Sequence, residues 1–226
     1  MSDELEIPAE VPIMILKDTV LFPQAILPLY IFEPCYRLML DEVLAHDRIF
    51  AVAGVREDVP ETDLGDSPHR VAGVGIVRAC RKNPDGTSNL ILQGLARIKC
   101  GPIVSETPYP RIRIQPLPSE QDGSTATLAA MQSSLIGLIE TQKRLGAGIP
   151  KEVLQFLGDV KSPEICLDLA ISTLCPSGTL KQELLETGGI LARFKEFENF
   201  LRAQIEQIKL ENKLKGKMNE DDLGQN

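Results

Sequence analysis

Aromatic side chains are scarce in this sequence of 226 residues, which contains no tryptophan and has an aromatic content of 4%. The hydrophobic content of 43% and the charged content of 25% are still those of an ordinary folded protein, so the core must be mainly aliphatic. An excess of positive charge is also missing, because the formal net charge is -8. Proteins that bind nucleic acid or anionic membranes normally present a basic surface, and this charge therefore disfavours both partners.

Closely spaced cysteines and long apolar runs are absent as well. The five cysteines lie far apart and include no Cys-x-x-Cys pair, which predicts neither a disulfide framework nor a zinc knuckle; they are Cys35, Cys80, Cys100, Cys166 and Cys175. No apolar run approaches the roughly 20 residues that span a bilayer, and the acidic start, Met1 to Glu6, is unlike a secretory signal. We therefore expect reduced thiols and a cytoplasmic protein.

The N-terminal half has the pattern of a small sheet with one helix. Short apolar runs predict strands at 13–16, 25–32, 49–53, 97–103 and 111–117, and Pro34 opens a helix through Ala45. The clearest hairpin joins 71–82 to 87–95 through Asn83-Pro84-Asp85-Gly86. The polar segment 56–69, between the strand at 49–53 and the strand at 71–82, is predicted to be a surface loop.

Beyond a proline-bearing polar segment, 116–124, every pattern is helical. Apolar residues from Leu128 to Ile139 lie on one helix face, a second helix begins near Pro150, and Ser162-Pro163 is a start signal for a third. Thr179-x-x-Gln182 is a capping-box signature for a fourth, and a last, long helix begins near Ile190. The prediction is an α+β protein: a mainly antiparallel β domain with one embedded helix, residues 1–118, and an α-helical bundle, residues 119–226, with a solvated tail from Lys213.

One segment resembles a known family. Leu16-x-Asp18-x3-Phe22-Pro23-x4-Pro28-Leu29 is similar to the N-terminal substrate-recognition domain of the Lon family of ATP-dependent proteases. The similarity continues through Gly73-Val74-Gly75, the Pro84-Asp85-Gly86 turn and 93–97 to helical segments at 149–154 and 181–186, and the variant at 30–37 resembles stand-alone bacterial Lon-domain proteins. The resemblance implies a PUA-like β pseudobarrel, a helical bundle and capture of polypeptide substrates.

The catalytic parts of that protease are not recognisable. No Gly-x4-Gly-Lys-Ser/Thr phosphate loop occurs, and no activating base is identifiable beside Ser172 or Ser177, so we expect no enzymatic activity and assign no catalytic residue. His46 is expected at a helix end and His69 in a solvated loop, without metal-ligand spacing. The acidic cluster lacks an EF-hand register and is expected to be a solvated loop; it comprises Glu57, Asp58, Glu61, Asp63 and Asp66. No metal or cofactor is predicted.

Three further groups are candidate binding residues. The first is a set of bases on neighbouring strands, namely Arg78, Arg81, Lys82, Arg97 and Lys99. They could form a patch, but alternation points Arg81 away from Arg78 and Lys82 unless a bulge intervenes, so a scattered solvated surface is the preferred interpretation. Gly73 and Gly75 indicate close packing or a bend in a strand rather than a dinucleotide fingerprint. Phe22, Tyr30 and Phe32 are the aromatic candidates for peptide contact, with a core position preferred for each. Peptide-binding residues are left unassigned.

The sequence thus supports a hypothesis and an alternative. The first is a non-catalytic protein that captures unfolded or extended polypeptide segments and serves a separate protease or chaperone. The alternative is a regulatory scaffold whose helical half binds a folded partner. The apolar stripe of the last helix, Ile190 to Ile208, is assigned to packing within the chain, and weak self-association through that helix stays open.

Overall fold

A computed structural model describes the backbone of residues 6–56 and 67–223 and the side chains of these ranges up to residue 214. The acidic cluster from Glu57 to Asp66 lies outside the described residues. Six strands and six helices occur in the described part of the chain. The strands are β1 (Glu10–Leu16), β2 (Ile26–Ile31), β3 (Ile49–Gly54), β4 (Val71–Lys82), β5 (Ser88–Ser105) and β6 (Arg111–Pro116). The helices are α1 (Pro34–Ala45), α2 (Thr125–Arg144), α3 (Lys151–Asp159), α4 (Pro163–Leu174), α5 (Gly178–Glu186) and α6 (Ile190–Leu223).

The chain divides into two compact units, one of residues 1–119 with 168–186 and one of residues 120–167 with 187–226. The predicted boundary at residue 118, between a β-rich domain and an α-helical bundle, stays a prediction.

The sheet of the first unit closes on itself through its longest strand. The strand order is β2-β5-β4-β3-β1-β6, and β5 also pairs with β6, which makes β5, β4, β3, β1 and β6 a ring. All pairings are antiparallel except β1 with β3. The two strands predicted at 87–95 and 97–103 are one strand of 18 residues, long enough to serve three partners. The predicted antiparallel pseudobarrel is confirmed, and β2 lies outside the ring on β5.

Two apolar clusters stabilise this unit from the two sides of its strands. One is aliphatic and is built from Val11, Ile13, Ala51, Val74, Ile98 and Ile112 with their neighbours, which occupy alternate positions along the ring strands. The other lies under α1 and contains Met39, Leu40 and Val43 of the helix with Phe50, Leu90 and Leu92 of the strands. Because strand side chains alternate in direction, β1, β3, β4 and β5 each contribute to both clusters, whereas β6 contributes to the aliphatic one.

The second unit is helical, and its helix starts follow cap chemistry. Ser124 Oγ accepts a hydrogen bond from the Thr127 amide at the start of α2 (3.1 Å), and Asp122 accepts bonds from the Leu191 and Ala192 amides at the start of α6 (2.7 and 3.1 Å). Burial tends to raise the pKa of the Asp122 carboxyl, but these two bonds outweigh it and hold the pKa below its usual value. Ser162 Oγ accepts a bond from the Ile165 amide at the predicted start of α4, at 3.4 Å.

The buried stripe of α6 confirms the prediction that most of its apolar residues pack within the chain. Ile190, Phe194, Phe197 and Leu201 are each no more than 1% exposed. Arg193 lies fully buried on the same helix and forms an ion pair with Glu164 at 2.9 Å, an arrangement that compensates its charge.

Candidate functional site

A short buried segment ahead of β2 fixes that strand against the hairpin of β4 and β5. Leu21 and Phe22 are buried, and a Cβ added to Gly73 or Gly94 would lie only 2.1 or 2.0 Å from their carbonyl oxygens. Backbone hydrogen bonds complete the attachment, because Gly94 accepts from Gln24 (2.8 Å) and donates to Ala25 (2.9 Å). The close packing predicted at Gly73 is therefore confirmed, and so is the core position predicted for Phe22; Gly94 is packed as closely, which the sequence did not indicate.

Strand β2 exposes one of its two sides. Leu27 and Leu29 pack against the cluster under α1, while the alternate residues Ile26 and Tyr30 are 55% and 53% exposed. Phe32, just after the strand, is 57% exposed, and its ring stacks on that of Tyr30 with centroids 5.9 Å apart. The predicted core positions of Tyr30 and Phe32 are wrong, because the sheet has no further strand or helix over this side among the described residues.

The neighbouring strands extend the exposed side of β2 into a surface three strands wide. Pro28 pairs with Ile91 of β5, and Ile91 pairs with Ala79 of β4, which forms an apolar row across the sheet. We call this surface the outer face; it consists of Ile26, Pro28, Tyr30, Asn89, Ile91, Gln93, Arg78, Ala79 and Arg81, with Phe32 beside it.

A bulge in β4 places two arginines on the outer face. The pairing with β5 shifts between Val77 and Ala79, so Arg78 is the extra residue, and its Nε donates to Gln93 Oε1 at 2.6 Å. Arg81 pairs with Asn89, which in turn pairs with Tyr30. Cross-strand partners share one side of a sheet, so Arg78 and Arg81 lie on the same side as Tyr30. Strict alternation would have separated them.

Side-chain amides organise one end of the outer face. Gln93 Nε2 donates to Gln24 Oε1 at 2.9 Å while its oxygen accepts from Arg78, which gives a hydrogen-bonded row beside Ile26. The outer face therefore has an apolar edge on β2, amide groups on β5 and two guanidinium groups on β4. Such a surface can contact apolar side chains and accept the carboxylates or carbonyl groups of a ligand.

The remaining predicted bases do not join this surface. Arg97 is only 3% exposed and donates to the Leu185 carbonyl (2.8 Å) and to Ser119 Oγ (2.9 Å), so the solvated position predicted for it is wrong. Lys82 forms an ion pair with Asp41. Lys99 is exposed and pairs with Gln115 and Val71, away from β2.

His69 lies in a cleft of about 710 Å³ in the first unit, lined by the segment after β1, the end of β3 and the outward side of α5. It is half-buried, with Nδ1 3.5 Å from Glu186 Oε1, so the prediction of a solvated loop side chain is wrong. Glu186 also accepts from Gln182 at 2.7 Å. Charges of both signs line the cleft, and among the described residues no group of three His, Cys, Asp or Glu side chains is placed to hold a metal ion.

The serine and histidine candidates have structural roles. Ser177 Oγ accepts from the Leu180 amide at 3.2 Å and caps α5, so the predicted capping box at Thr179 is displaced by two residues. Gln182, its supposed partner, donates instead to the Val71 carbonyl at 2.9 Å. Ser172 is half-buried within α4, and His46 lies at the end of α1, as predicted, with Nδ1 2.8 Å from the Glu42 carbonyl oxygen.

Three of the five thiols have raised pKa values. All five cysteines are free, and Cys166 and Cys175 are buried. Burial raises the pKa of Cys100 to about 11 and also raises the pKa values of Cys166 and Cys175, so these three are poor nucleophiles near neutral pH.

Sequence reasoning missed the apolar members of the outer face, Ile26, Pro28, Ala79 and Ile91. The run from Ile26 to Phe32 is apolar at every position, so its pattern does not show which side stays uncovered. Pro28 is the usable signal, because a proline inside a strand favours the edge of a sheet.

The fold is of the α+β class: a closed sheet with an added edge strand is followed in the chain by helices, and β2 leaves its apolar side uncovered. No helix among the described residues is both long and apolar enough to cross a bilayer. Residues 10–215 match the family described as the ATP-dependent protease La (LON) substrate-binding domain, and the chain belongs to this family.

Individual relatives agree with the family assignment. The Lon protease of Desulfosudis oleivorans is 27% identical over 96% of this chain and 26% of its own length, and that of Flavobacterium johnsoniae is 26% identical over 98% and 27%. The chain thus spans about a quarter of these relatives. Two solved structures share the fold at 16% identity. The N-terminal domain of a Mycobacterium avium complex Lon protease has a TM-score of 0.68 over 85% of this chain and 98% of that one. A Lon N-terminal domain protein from Xanthomonas campestris has a TM-score of 0.60 over 84% of this chain and 97% of that one.

Proposed function

We propose that this protein captures extended or unfolded polypeptide segments without catalysing a reaction on them. The observation that carries the proposal is the uncovered apolar side of β2, where Ile26, Tyr30 and Phe32 are each more than half exposed. Contiguous exposed apolar groups cost solubility, and in a folded protein they mark surfaces that contact a partner. Membership of the Lon substrate-binding family supports a polypeptide as that partner.

The position of β2 suits an extended ligand. Its described pairing is with β5 alone, so its other edge offers backbone groups to an added strand. The missing amide hydrogen of Pro28 leaves a gap in such a ladder, which keeps the attachment weak and tolerant of sequence. Broad, low-affinity capture is the behaviour expected from a few exposed rings and an incomplete edge.

A non-catalytic role fits the side chains that the structure describes. The candidate nucleophile Ser177 caps a helix, and three of the thiols are held protonated by burial. We propose that captured segments pass to a separate protease or chaperone, and that the protein works in the cytoplasm, where free thiols persist.

Binding to an unfolded protein tests the proposal. Reduced, carboxymethylated lactalbumin, which cannot fold, should bind to the labelled protein, whereas the native calcium-bound form should not. Casein incubated with the protein, with and without ATP, should stay intact. Binding of neither lactalbumin form, or cleavage of casein, would contradict the proposal.

The alternative is a scaffold that binds one folded partner through the helical half. Exposed Phe156 on α3, which is 57% exposed, favours a second contact surface. Affinity capture from lysate under native conditions separates the two functions, because polypeptide capture predicts many unfolded clients and a scaffold predicts one stoichiometric protein. Phe156→Ser should abolish capture of the single stoichiometric protein and leave capture of unfolded clients unchanged.

A further inference from the structure

Two arginines lie on the outer face of a protein that is acidic as a whole. The formal net charge is -8, yet Arg78 and Arg81 lie on one exposed surface, and neither has a carboxylate partner among the described residues. Lys82, one residue further along the same strand, does have such a partner in Asp41. The surface that exposes the apolar side of β2 is therefore also locally positive.

The arginines are aligned with the apolar residues rather than scattered beside them. One cross-strand row runs from Tyr30 through Asn89 to Arg81, and another runs from Ile26 through Gln93 to the bulge that carries Arg78. Each row begins with an exposed apolar side chain on β2 and ends with a guanidinium group on β4. The apolar row of Pro28, Ile91 and Ala79 separates them.

Strand geometry gives the spacing that a ligand needs. Neighbouring strands are about 4.8 Å apart, so β2 and β4 are separated by roughly 10 Å. An extended peptide repeats side chains on one side about every 7 Å, so residues two apart face the same surface. A peptide that lies over the outer face along one of these rows can therefore place an apolar residue over β2 and a carboxylate, two residues away, within reach of a flexible arginine.

We propose that the outer face selects extended apolar segments that carry an aspartate or glutamate two residues from an aromatic or aliphatic residue. The apolar residue packs on Tyr30 or Ile26, and the carboxylate accepts charge-assisted hydrogen bonds from Arg81 or Arg78. This inference rests on the proposed capture of polypeptides and adds the class of segment that is preferred. Fully apolar segments bind more weakly, and segments with lysine at the acidic position are rejected.

The same surface does not favour a nucleic acid. Tyr30 and Phe32 could stack on bases, but binding of a polyanion requires several cations along its backbone, and the outer face has two. Its central row is apolar and offers no side-chain donor for phosphates. An apolar peptide with one or two carboxylates matches the count of charges better.

A double-mutant cycle between protein and peptide tests the proposal. The probe is a short fluorescein-labelled peptide of glycine, serine and threonine that contains one phenylalanine and a glutamate two residues later. Companion peptides carry glutamine or lysine in place of glutamate. Fluorescence anisotropy is measured with the full chain and with Arg81→Gln, Arg78→Gln and the exposed control Lys99→Gln. Thermal unfolding of each variant verifies that it is folded, and Arg81→Lys serves as a variant that keeps the charge.

Replacing the glutamate of the peptide by glutamine should weaken binding to the unaltered protein about threefold to tenfold. This difference between the two peptides should disappear when Arg78 and Arg81 are both changed to glutamine, and it should persist in Lys99→Gln. Arg81→Glu should reverse the preference toward the lysine peptide. Equal binding of the three peptides would overturn this inference and leave polypeptide capture intact. No binding of any peptide up to about 1 mM, together with no binding of unfolded lactalbumin, would overturn both. Tighter, arginine-dependent binding of single-stranded polyuridylate would overturn the preference for a peptide.

Discussion

Removing the two exposed rings beside β2 should weaken polypeptide binding without unfolding the protein. In the double variant Tyr30→Ser, Phe32→Ser, the rings lost are 53% and 57% exposed, so little of the core packing is removed. The free energy of unfolding should change by no more than about 0.5 kcal/mol per site, as for ordinary surface substitutions. Thermal and denaturant unfolding measure that change.

The loss of affinity can be estimated from area. An aromatic side chain buries about 150–250 Å², so roughly 100 Å² of each ring remains available to a ligand. At about 25 cal/mol/Å², complete coverage is worth about 2.5 kcal/mol per ring, and a ligand that covers less than half of it gains about 1 kcal/mol. Each substitution should then raise the Kd about fivefold, and the pair about 25-fold.

Anisotropy with labelled, unfolded lactalbumin measures this loss, and Phe156→Ser provides the matched control. Phe156 has the same 57% exposure as Phe32 but lies on α3. Two results would refute the assignment of the site to β2: an unchanged affinity of the Tyr30 and Phe32 variant, or a loss of affinity in the Phe156 variant that equals or exceeds the loss in that variant.

Three further predictions concern stability and reactivity. Gly94→Ala should lower the free energy of unfolding by about 2 kcal/mol or more, because its Cβ would lie 2.0 Å from the Phe22 carbonyl oxygen. Gly137→Ala in α2, where a Cβ would meet no atom within 4 Å, should raise the free energy of unfolding by up to about 1 kcal/mol. Denaturant unfolding compares the two variants. The lowered pKa of Asp122 contributes stability that is present above the usual value near 3.9 and is lost as the pH falls through the lower, folded-state pKa, so Asp122→Asn should flatten the decline in melting temperature below pH 4. Cys100, with its pKa raised to about 11, should alkylate much more slowly at pH 8 in the native than in the unfolded protein, as peptide mass mapping would show; equal rates would contradict this.

Local signals predict most of the elements because they act within a few residues. The Asn83 to Gly86 turn forms as its chemistry predicts, with Gly86 at a φ of 82° and its amide bonded to the Asn83 carbonyl at 3.0 Å. Pro34 opens α1 and Ser162 caps α4 for the same reason: each needs only its neighbours. The capping box at Thr179 failed within this range, because Ser177 offers an equivalent hydroxyl two residues earlier.

Properties that depend on distant residues were not predictable. Whether Tyr30 is buried depends on the absence of a strand beside β2, and whether Arg97 is buried depends on a carbonyl group in α5, 88 residues later. The parallel pairing of β1 with β3 likewise follows from sheet closure rather than from either strand's pattern. Local patterns therefore predict the elements, whereas the exposure of side chains, and with it the candidate site, follows from the assembled sheet.

The bulge at Arg78 makes the outer face sensitive to length changes in β4 as well as to substitutions. Deleting that single residue would make the pairing with β5 regular from Val77 to Ala79 and leave Arg81 paired with Asn89, so the outer face would keep one of its two guanidinium groups. The charge of this surface can thus change through the loss of one codon, without altering any side chain of β2. Homologous proteins that lack this one residue should accordingly bind acidic segments more weakly.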